Sequence, residues 1–337
     1  MEGRLVAASK IRRLGSAPYR PCRLNRVVSR KVRTKTAVAM IVAMMVLVSS
    51  EAGFAAEGSD SKSAVKAPVP DKAQRGASLE DKEWRIPADK EKFHIFLLMG
   101  QSNMAGGLKP RHKGYLLEED KIPVPHVLMI PQQKNMTKYF WKPAAHPLHL
   151  RGGQGCGFGL GLPFAKRYLA ENPGVTVGLV PLASGGKNIG RLNKGSKIYE
   201  EGMKRAGFAA RQGVIKGVLW HQGESDRGPQ GSLAYEGKLH GMIADLRKDL
   251  QIPNLPFVVG DLGGFTKPTP EGIARVRAVL RSLPEKVPHT GFVESAGLKR
   301  SDRAHFDRPS YVELGHRYCD EIVRVIRELE SDKGGAE

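Results

Sequence analysis

Phe93-His-Ile-Phe-Leu-Leu-Met99, followed by Gly100-Gln-Ser-Asn-Met-Ala-Gly106, is the stretch that decides the fold of this 337-residue chain. Its first seven residues are nearly all apolar, which is typical of a strand in a sheet covered on both faces. The strand then breaks into small and polar residues that include Ser102. Because open α/β sheets carry their chemistry where parallel strands end, Ser102 is either a reactive serine or a helix cap.

Short apolar runs alternate with amphipathic stretches over residues 91–332, and this alternation predicts one doubly wound α/β domain with a mostly parallel sheet. The segment 131–157 holds Pro, Gly and several His, and we expect it to form a long surface loop. Strands are predicted at 93–99, 126–130, 175–181, 214–220, 255–260 and 290–294, and helices at 158–170, 199–212, 232–250, 272–283 and from 309 onward.

The amino-terminal residues have the order of a secretory signal: a basic stretch, an apolar run at 37–48 and small residues up to Ala56. The apolar run is shorter than the roughly 20 residues that span a bilayer as a helix. We therefore predict a signal peptide region at 1–56 and export to the periplasm or the outside, with an uncleaved anchor as the alternative. Residues 57–90 are rich in Ser, Lys, Ala, Pro and Asp and predict a flexible linker.

The formal net charge of +20 is unevenly placed: residues 1–56 contribute +9, and the +11 of the remainder is spread without an interleaved aromatic patch. We therefore expect no nucleic-acid partner, and no stable membrane partner unless the signal stays attached. Beyond the signal region, Cys156 and Cys319 are expected to be unpaired thiols. His146 and His149 have a metal-ligand spacing but lack a third ligand nearby, so we expect no metal.

Two later predicted strands also end in small or polar residues, at Ser184-Gly-Gly186 and at His221-Gln-Gly-Glu224. In a parallel sheet these ends lie along one edge together with Ser102. Near the carboxyl end, Asp302 and His305 are three residues apart, which lets the carboxylate bond the imidazole and set its tautomer. Each side chain alone is more often a cap or a solvated loop residue, but together they supply a nucleophile, a base and an orienting acid.

Four blocks in this order resemble the sialate O-acetylesterase-like group, which includes carbohydrate esterase family 6, the acetyl xylan esterases, within the SGNH-hydrolase superfamily. The resemblance spans roughly residues 93–330. Its blocks are Gly100-Gln-Ser-Asn-Met104, Val177 to Gly186, Trp220-His-Gln-Gly-Glu-Ser-Asp226 and Asp302-x-x-His-Phe306.

The resemblance implies a flavodoxin-like three-layer α/β/α sandwich and an exported serine esterase that hydrolyses O-acetyl esters of carbohydrates, of the acetyl xylan or sialate type, through an acetyl-serine. It implies no cofactor. By the same resemblance, Ser102 is the nucleophile, His305 the general base and Asp302 its orienting acid, with Glu224 as the alternative acid.

The resemblance also implies an oxyanion hole. Its donors would be the backbone N–H of Ser102, a glycine N–H from the second block, either Gly185 or Gly186, and the side chain of Gln222. Two residues that flank the nucleophile are assigned to the same oxyanion and substrate-binding region, namely Gln101 and Asn103.

Two residues depart from the family pattern. Lys187 stands where a small hydroxyl residue is expected, and Arg303 stands where glycine is common. Both bear on the shape or charge of the substrate more than on acyl chemistry. A lipase- or thioesterase-like SGNH hydrolase and a catalytically inactive carbohydrate-binding protein remain as alternatives. The sequence predicts neither the sugar nor the oligomeric state.

Overall fold

The computed structural model describes residues 84–108, 110, 112, 115–132, 138–149, 156–265 and 269–334. The chain divides into two units, Met1–Val69 and Pro70–Glu337, and all described residues lie in the second. The predicted signal region, 1–56, and most of the predicted linker, 57–90, lie outside the described residues.

A seven-stranded sheet forms the centre of the described unit, with the strand order β3-β2-β4-β1-β5-β6-β7. Every neighbouring pair is parallel except β2 and β3, which are antiparallel. The strands are β1 Phe93–Gly100, β2 Val127–Met129, β3 Lys142–Pro143, β4 Thr176–Pro181, β5 Val214–His221, β6 Phe257–Gly260 and β7 Thr290–Val293.

Seven α-helices accompany the sheet in the described residues, together with short 3-10 turns that include Glu224–Asp226. The helices are α1 Ser102–Ala105, α2 Gly161–Glu171, α3 Lys197–Ala210, α4 Pro229–Leu233, α5 Tyr235–Asp249, α6 Glu271–Lys286 and α7 Arg308–Gly334.

Two hydrophobic cores lie on opposite faces of the sheet, and β1 contributes alternate residues to each. Phe96 and Leu98 pack with side chains of α2 and α7. Ile95 and Leu97 pack with side chains of α3, α5 and α6. Successive strand residues point to opposite faces, so a strand covered on both faces is apolar throughout. The protein is therefore a three-layer α/β sandwich, as predicted.

The predicted surface loop at 131–157 differs from the structure. Lys142 and Pro143 form the edge strand β3, and the side chains of His146 and His149 are almost completely buried. Two residues are too short a run to show the alternation by which a strand is recognised, which is why β3 was not predicted. Residues 133–137 and 150–155 of this segment lie outside the described residues.

The single helix predicted at 232–250 is two helices, α4 and α5, which meet at Ala234. Helix α4 starts with Pro229, whose restricted backbone suits the first turn. Helix α5 starts at Tyr235, whose buried hydroxyl donates to the carbonyl oxygen of Gln222 at 2.8 Å. This contact holds the start of α5 beneath the carboxyl end of β5.

None of the described helices is both long enough and apolar enough to cross a membrane. Cys319 is a free, buried cysteine, as predicted.

Candidate active site

The turn after β1 depends on a glycine. Gly100 has φ +132°, and a Cβ at this position would lie 2.2 Å from the carbonyl oxygen of His221, so any other residue would push β1 and β5 apart. The N–H of Gln101 donates to that same carbonyl at 2.9 Å. Helix α1 begins immediately afterwards, so Ser102 lies at the carboxyl edge of the central strand.

A chain of hydrogen bonds joins Ser102 to the loop before α7. The Oγ of Ser102 lies 3.0 Å from Nε2 of His305. The Nδ1 of His305 lies 2.9 Å and 3.0 Å from the two carboxylate oxygens of Asp302. An ionised carboxylate only accepts, so Nδ1 carries the proton and Nε2 is left as the acceptor for the serine hydroxyl. This is the arrangement of a serine nucleophile with its general base.

The carboxyl group of Asp302 is held in its ionised form. Burial alone would raise its pKa, but hydrogen bonds from the backbone N–H of Ala304 and from His305 lower the pKa to about 2. A carboxyl whose pKa is lower in the folded than in the unfolded protein stabilises the fold above its ordinary pKa, near 4. This contribution is lost as the pH falls from about 4 to about 2, so Asp302 stays charged over the range in which His305 acts as a base.

A second histidine, which the sequence did not indicate, faces the same carboxylate. The Nε2 of His112 lies 3.6 Å from Oδ2 of Asp302, and its side chain is only 8% exposed. When protonated, His112 would add a further positive charge beside Asp302. Nothing in the residues around His112 predicts this contact, since the two residues come together only in the folded chain.

Asn103 holds the histidine loop in place. Its side-chain N–H groups donate to Oε1 of Glu224 at 2.6 Å and to the carbonyl of Ala304 at 2.9 Å. Its oxygen accepts from the hydroxyl of Tyr311 at 2.7 Å. The side chain is 1% exposed and its polar atoms are occupied, so in this structure Asn103 positions the loop of His305, and its predicted part in binding substrate stays a prediction.

Replacement of Asn103 by Ala is expected to lower the free energy of unfolding by about 1–3 kcal/mol, because buried polar groups lose their partners. Urea denaturation of the wild-type and variant proteins measures this difference. The matched control is Asn254→Ala, at an exposed position, which should stay within about 0.5 kcal/mol of the wild type. Equal stabilities of the two variants would contradict the positioning role.

Gln222 does not present a free donor at the surface. It is completely buried, and its Nε2 lies within hydrogen-bond distance of Gln101 Oε1 (3.2 Å), Lys187 O (3.1 Å) and Asp226 Oδ2 (2.6 Å). Its two N–H protons are therefore used inside the protein. These contacts do not favour the predicted role of Gln222 as a direct oxyanion donor, which stays a prediction. The side chain instead ties the loop after β4 to the ends of β1 and β5.

Gln101 belongs to the same buried network rather than to the substrate surface. Its side chain is 3% exposed, and its Oε1 accepts from Gln222 and from the backbone N–H of Ser225 at 3.3 Å. The observed contacts of the Gln101 side chain are structural, and its predicted substrate contact stays a prediction. Its backbone carbonyl also accepts from Met104 and Ala105, which closes the single turn of α1.

Glu224 is not a partner of His305 in this geometry. Its Oε1 accepts from Asn103, and its Oε2 is buried without a hydrogen-bond partner. Burial raises the pKa of Glu224, although the hydrogen bond from Asn103 opposes this shift. Both carboxylate oxygens of Asp302 lie at Nδ1 of His305, so the geometry favours Asp302 over the predicted alternative, Glu224, as the orienting acid.

The second-block turn lies beside the nucleophile. The N–H of Ser184 donates to the carbonyl of Gly100 at 3.0 Å, which joins this turn to the end of β1. A Cβ built on Gly185 would lie 3.9 Å from Cβ of Ser102, whereas one on Gly186 would have no neighbour within 4 Å. Of the two predicted glycines, Gly185 is therefore the one adjacent to the reacting centre.

A glycine outside the predicted set limits the space around the histidine. A Cβ on Gly107 would lie 2.2 Å from Cδ2 of His305 and 2.7 Å from the hydroxyl of Tyr311. The backbone N–H of Gly107 donates to that hydroxyl at 3.0 Å. Because Gly107 has no side chain, the imidazole of His305 can pack against its backbone. This role can be recognised only from the folded position of the His305 loop.

Gly107→Ala is expected to displace His305 and to lower kcat about 10²-fold, the order of loss that follows a misplacement of about 1 Å. Steady-state ester hydrolysis measures it. Gly207→Ala in α3 is the control, because a Cβ there meets nothing within 4 Å; it should keep full activity and gain up to about 1 kcal/mol in stability. A Gly107→Ala enzyme with wild-type kcat would contradict this placement of His305.

The described residues contain one grouping of three side chains that could hold a metal ion, Glu171, Cys319 and Asp320. Asp320 already pairs with Arg167 at 2.9 Å. None of the three belongs to the hydrogen-bond chain of Ser102.

Residues 92–324 match the family described as carbohydrate esterase, sialic acid-specific acetylesterase. An Arabidopsis thaliana protein described as a probable carbohydrate esterase is 34% identical over 234 residues, which cover 66% of this chain and 86% of the plant protein. The X-ray structure of that protein is similar with TM-score 0.59 and 31% identity, covering 68% of this chain and 98% of the other. The structure of NanS has TM-score 0.59 at 15% identity, covers 71% and 99% of the two chains, and shows the shared fold.

Proposed function

Because the chain belongs to the carbohydrate esterase, sialic acid-specific acetylesterase family, we propose that it hydrolyses O-acetyl esters of carbohydrates through an acetyl-serine intermediate at Ser102. Family membership makes it a carboxylic ester hydrolase with the SGNH fold. The observation that carries the finer proposal is the hydrogen-bond chain from Ser102 through His305 to Asp302.

In the first half-reaction, Nε2 of His305 takes the proton of the Ser102 hydroxyl while Oγ attacks the acetyl carbonyl. The carbonyl oxygen becomes negative, and the backbone N–H groups of Ser102 and Gly185 are the proposed donors to it. When the ester bond breaks, His305 returns the proton to the departing sugar oxygen. Asp302 stabilises the imidazolium that exists between these two transfers.

In the second half-reaction, water replaces the sugar alcohol. His305 takes a proton from the water while the water oxygen attacks the carbonyl of the acetyl-serine. The acetyl group then leaves as acetic acid when His305 returns the proton to Oγ of Ser102. The cycle consumes one water and releases one sugar alcohol and one acetic acid. Every proton transfer uses the same histidine nitrogen, 3.0 Å from Oγ.

Acetate release by the full chain from an aryl acetate, acetylated xylan and O-acetylated sialic acid tests this proposal. During turnover, an acid quench followed by peptide mass analysis should find one acetyl group on the peptide that contains Ser102. Aryl esters of increasing acyl length should be hydrolysed progressively more slowly. Preference for long acyl chains would favour the lipase-like alternative, and glycan binding without acetate release would favour the inactive binding protein.

We also propose that the protein is exported, which the amino-terminal order of basic, apolar and small residues supports. The protein would then meet its glycan in the periplasm or outside the cell. Cell fractionation with amino-terminal sequencing of the recovered protein tests this; recovery of the unprocessed chain from the cytoplasm alone would contradict it.

A further inference from the structure

Two depressions flank Ser102 along the carboxyl edge of the sheet. One, the Lys187 groove, lies after β4, has a volume of about 900 Å³ and is lined by residues from Ser184 to Ile198. The other, the Arg303 groove, has a volume of about 190 Å³ and is lined by residues that follow β5 and β6 together with Arg303 and Ala304. Ser102 follows β1, and in the strand order β4-β1-β5-β6 this strand lies between β4, which leads to the Lys187 groove, and the two strands that lead to the Arg303 groove.

The Lys187 groove carries positive charge only. Lys187, Arg191 and Lys197 line it and are exposed, and no carboxylate contributes to its wall. Its position relative to Ser102 is set by the buried network, because the carbonyl of Lys187 accepts from Gln222 at 3.1 Å and the N–H of Ile189 donates to Asp226 at 2.9 Å. Lys187 and Arg191 therefore lie on a loop that is hydrogen-bonded to residues beside the nucleophile turn.

The Arg303 groove is also basic. Arg227 and Arg303 line it and are exposed, with Phe265 as an apolar wall. Its one carboxylate, Glu224, points inward, with Oε1 bonded to Asn103 and Oε2 buried. Within the part of the chain that the structure describes, none of the five groove cations forms an ion pair.

Building on the proposed esterase function, we propose that the substrate is a segment of an anionic glycan chain whose carboxylate-bearing sugars occupy both grooves while Ser102 attacks an acetyl group between them. The cations of the Lys187 groove follow β4 and Arg227 follows β5, and these strands are two strand spacings apart, or about 10 Å, which is more than one sugar ring spans. Because both grooves beside Ser102 are positively charged, they attract negatively charged sugars on both sides of the acetyl ester. Guanidinium groups such as Arg227 and Arg303 match carboxylates in shape as well as charge.

The first test compares acetylated polyuronates with their own methyl-esterified forms, which have the same chains without the negative charge. Acetylated polygalacturonate and acetylated alginate are suitable probes, with an aryl acetate as the small neutral reference. We expect kcat/KM to be higher for the charged form of at least one polymer, and this preference to shrink as NaCl is raised from 0.05 to 0.5 M, since salt screens exposed charges. Equal rates on the charged and neutral forms of both polymers would overturn the proposal.

The second test removes the charge from each groove. Lys187→Gln/Arg191→Gln/Lys197→Gln and Arg227→Gln/Arg303→Gln should each lower the polyuronate-to-aryl-acetate ratio of kcat/KM by about 3- to 10-fold. The control, Lys204→Gln/Lys248→Gln, removes two exposed cations outside both grooves and should leave the ratio unchanged. If the ratio falls in only one groove variant, the proposal that the substrate chain occupies both grooves is overturned. If it falls in neither variant, the proposal that the substrate is anionic is overturned. Hydrolysis of the aryl acetate would persist in both cases, so the proposed esterase function is tested separately.

Discussion

Ser102→Ala is expected to lower kcat for acetate release by at least about 10⁴-fold, because it removes the hydroxyl that attacks the ester in the first half-reaction. The Oγ of Ser102 lies 3.0 Å from Nε2 of His305 and belongs to no core. The variant should therefore keep the wild-type unfolding transition. Release of acetate from an aryl acetate, measured beside urea denaturation, gives both quantities on one preparation.

Ser225→Ala is the matched control for this experiment. Ser225 is exposed, and its contact with the site is made by its backbone N–H, which the substitution retains. His305→Ala should lose a similar factor, and the double variant of Ser102 and His305 should lose no more than either alone, since the two residues act as a unit. Wild-type rates in Ser102→Ala would disprove the serine mechanism.

Asp302→Asn is expected to lower kcat by about 10⁴-fold, the order of loss seen when an orienting carboxylate becomes an amide. The amide can donate to Nδ1 of His305, which then keeps its proton on Nε2 and cannot accept from Ser102. Glu224→Gln should lose less than about 10-fold, because its Oε1 bond with Asn103 survives as an amide oxygen. Comparing the two variants decides which acid serves the histidine.

The pH dependence of the rate supplies a separate check on Asp302. Its pKa of about 2 keeps the carboxylate ionised above pH 4, so no fall in rate above pH 4 comes from this group. A pH–rate profile of the wild-type enzyme, measured down to pH 4, tests this expectation. If Glu224→Gln were as inactive as Asp302→Asn, the assignment of the orienting acid would have to be reversed.

The layers of the fold are predictable because a strand buried on both faces has a continuous apolar run in the sequence. The apolar run of β1 and its glycine break identify a central strand, and the helices carry one apolar face each. The features that were not predicted have no such pattern in the local sequence. Strand β3 is two residues long, and His146 is polar in sequence but buried in the structure. Tertiary contacts alone account for both.

The side chains of Ser102, Asp302 and His305 are predictable only in combination, because each alone is more often a cap or a solvated loop residue, whereas four blocks in this order resemble an esterase family. The supporting residues are not. Asn103 and Gln222 have side chains that suit an oxyanion hole, and only the structure shows their donors already occupied. Gly107 and His112 matter through contacts with His305 and Asp302, about 200 positions away in the sequence.

The separation of 203 positions between Ser102 and His305 has a consequence for biosynthesis. Ribosomes add about 5–20 residues per second, so the serine exists for about 10–40 s before its base has been made. Throughout that interval the nascent chain contains the serine without His305. On the proposed mechanism, esterase activity therefore begins only after the loop before α7 has left the ribosome and packed onto the sheet.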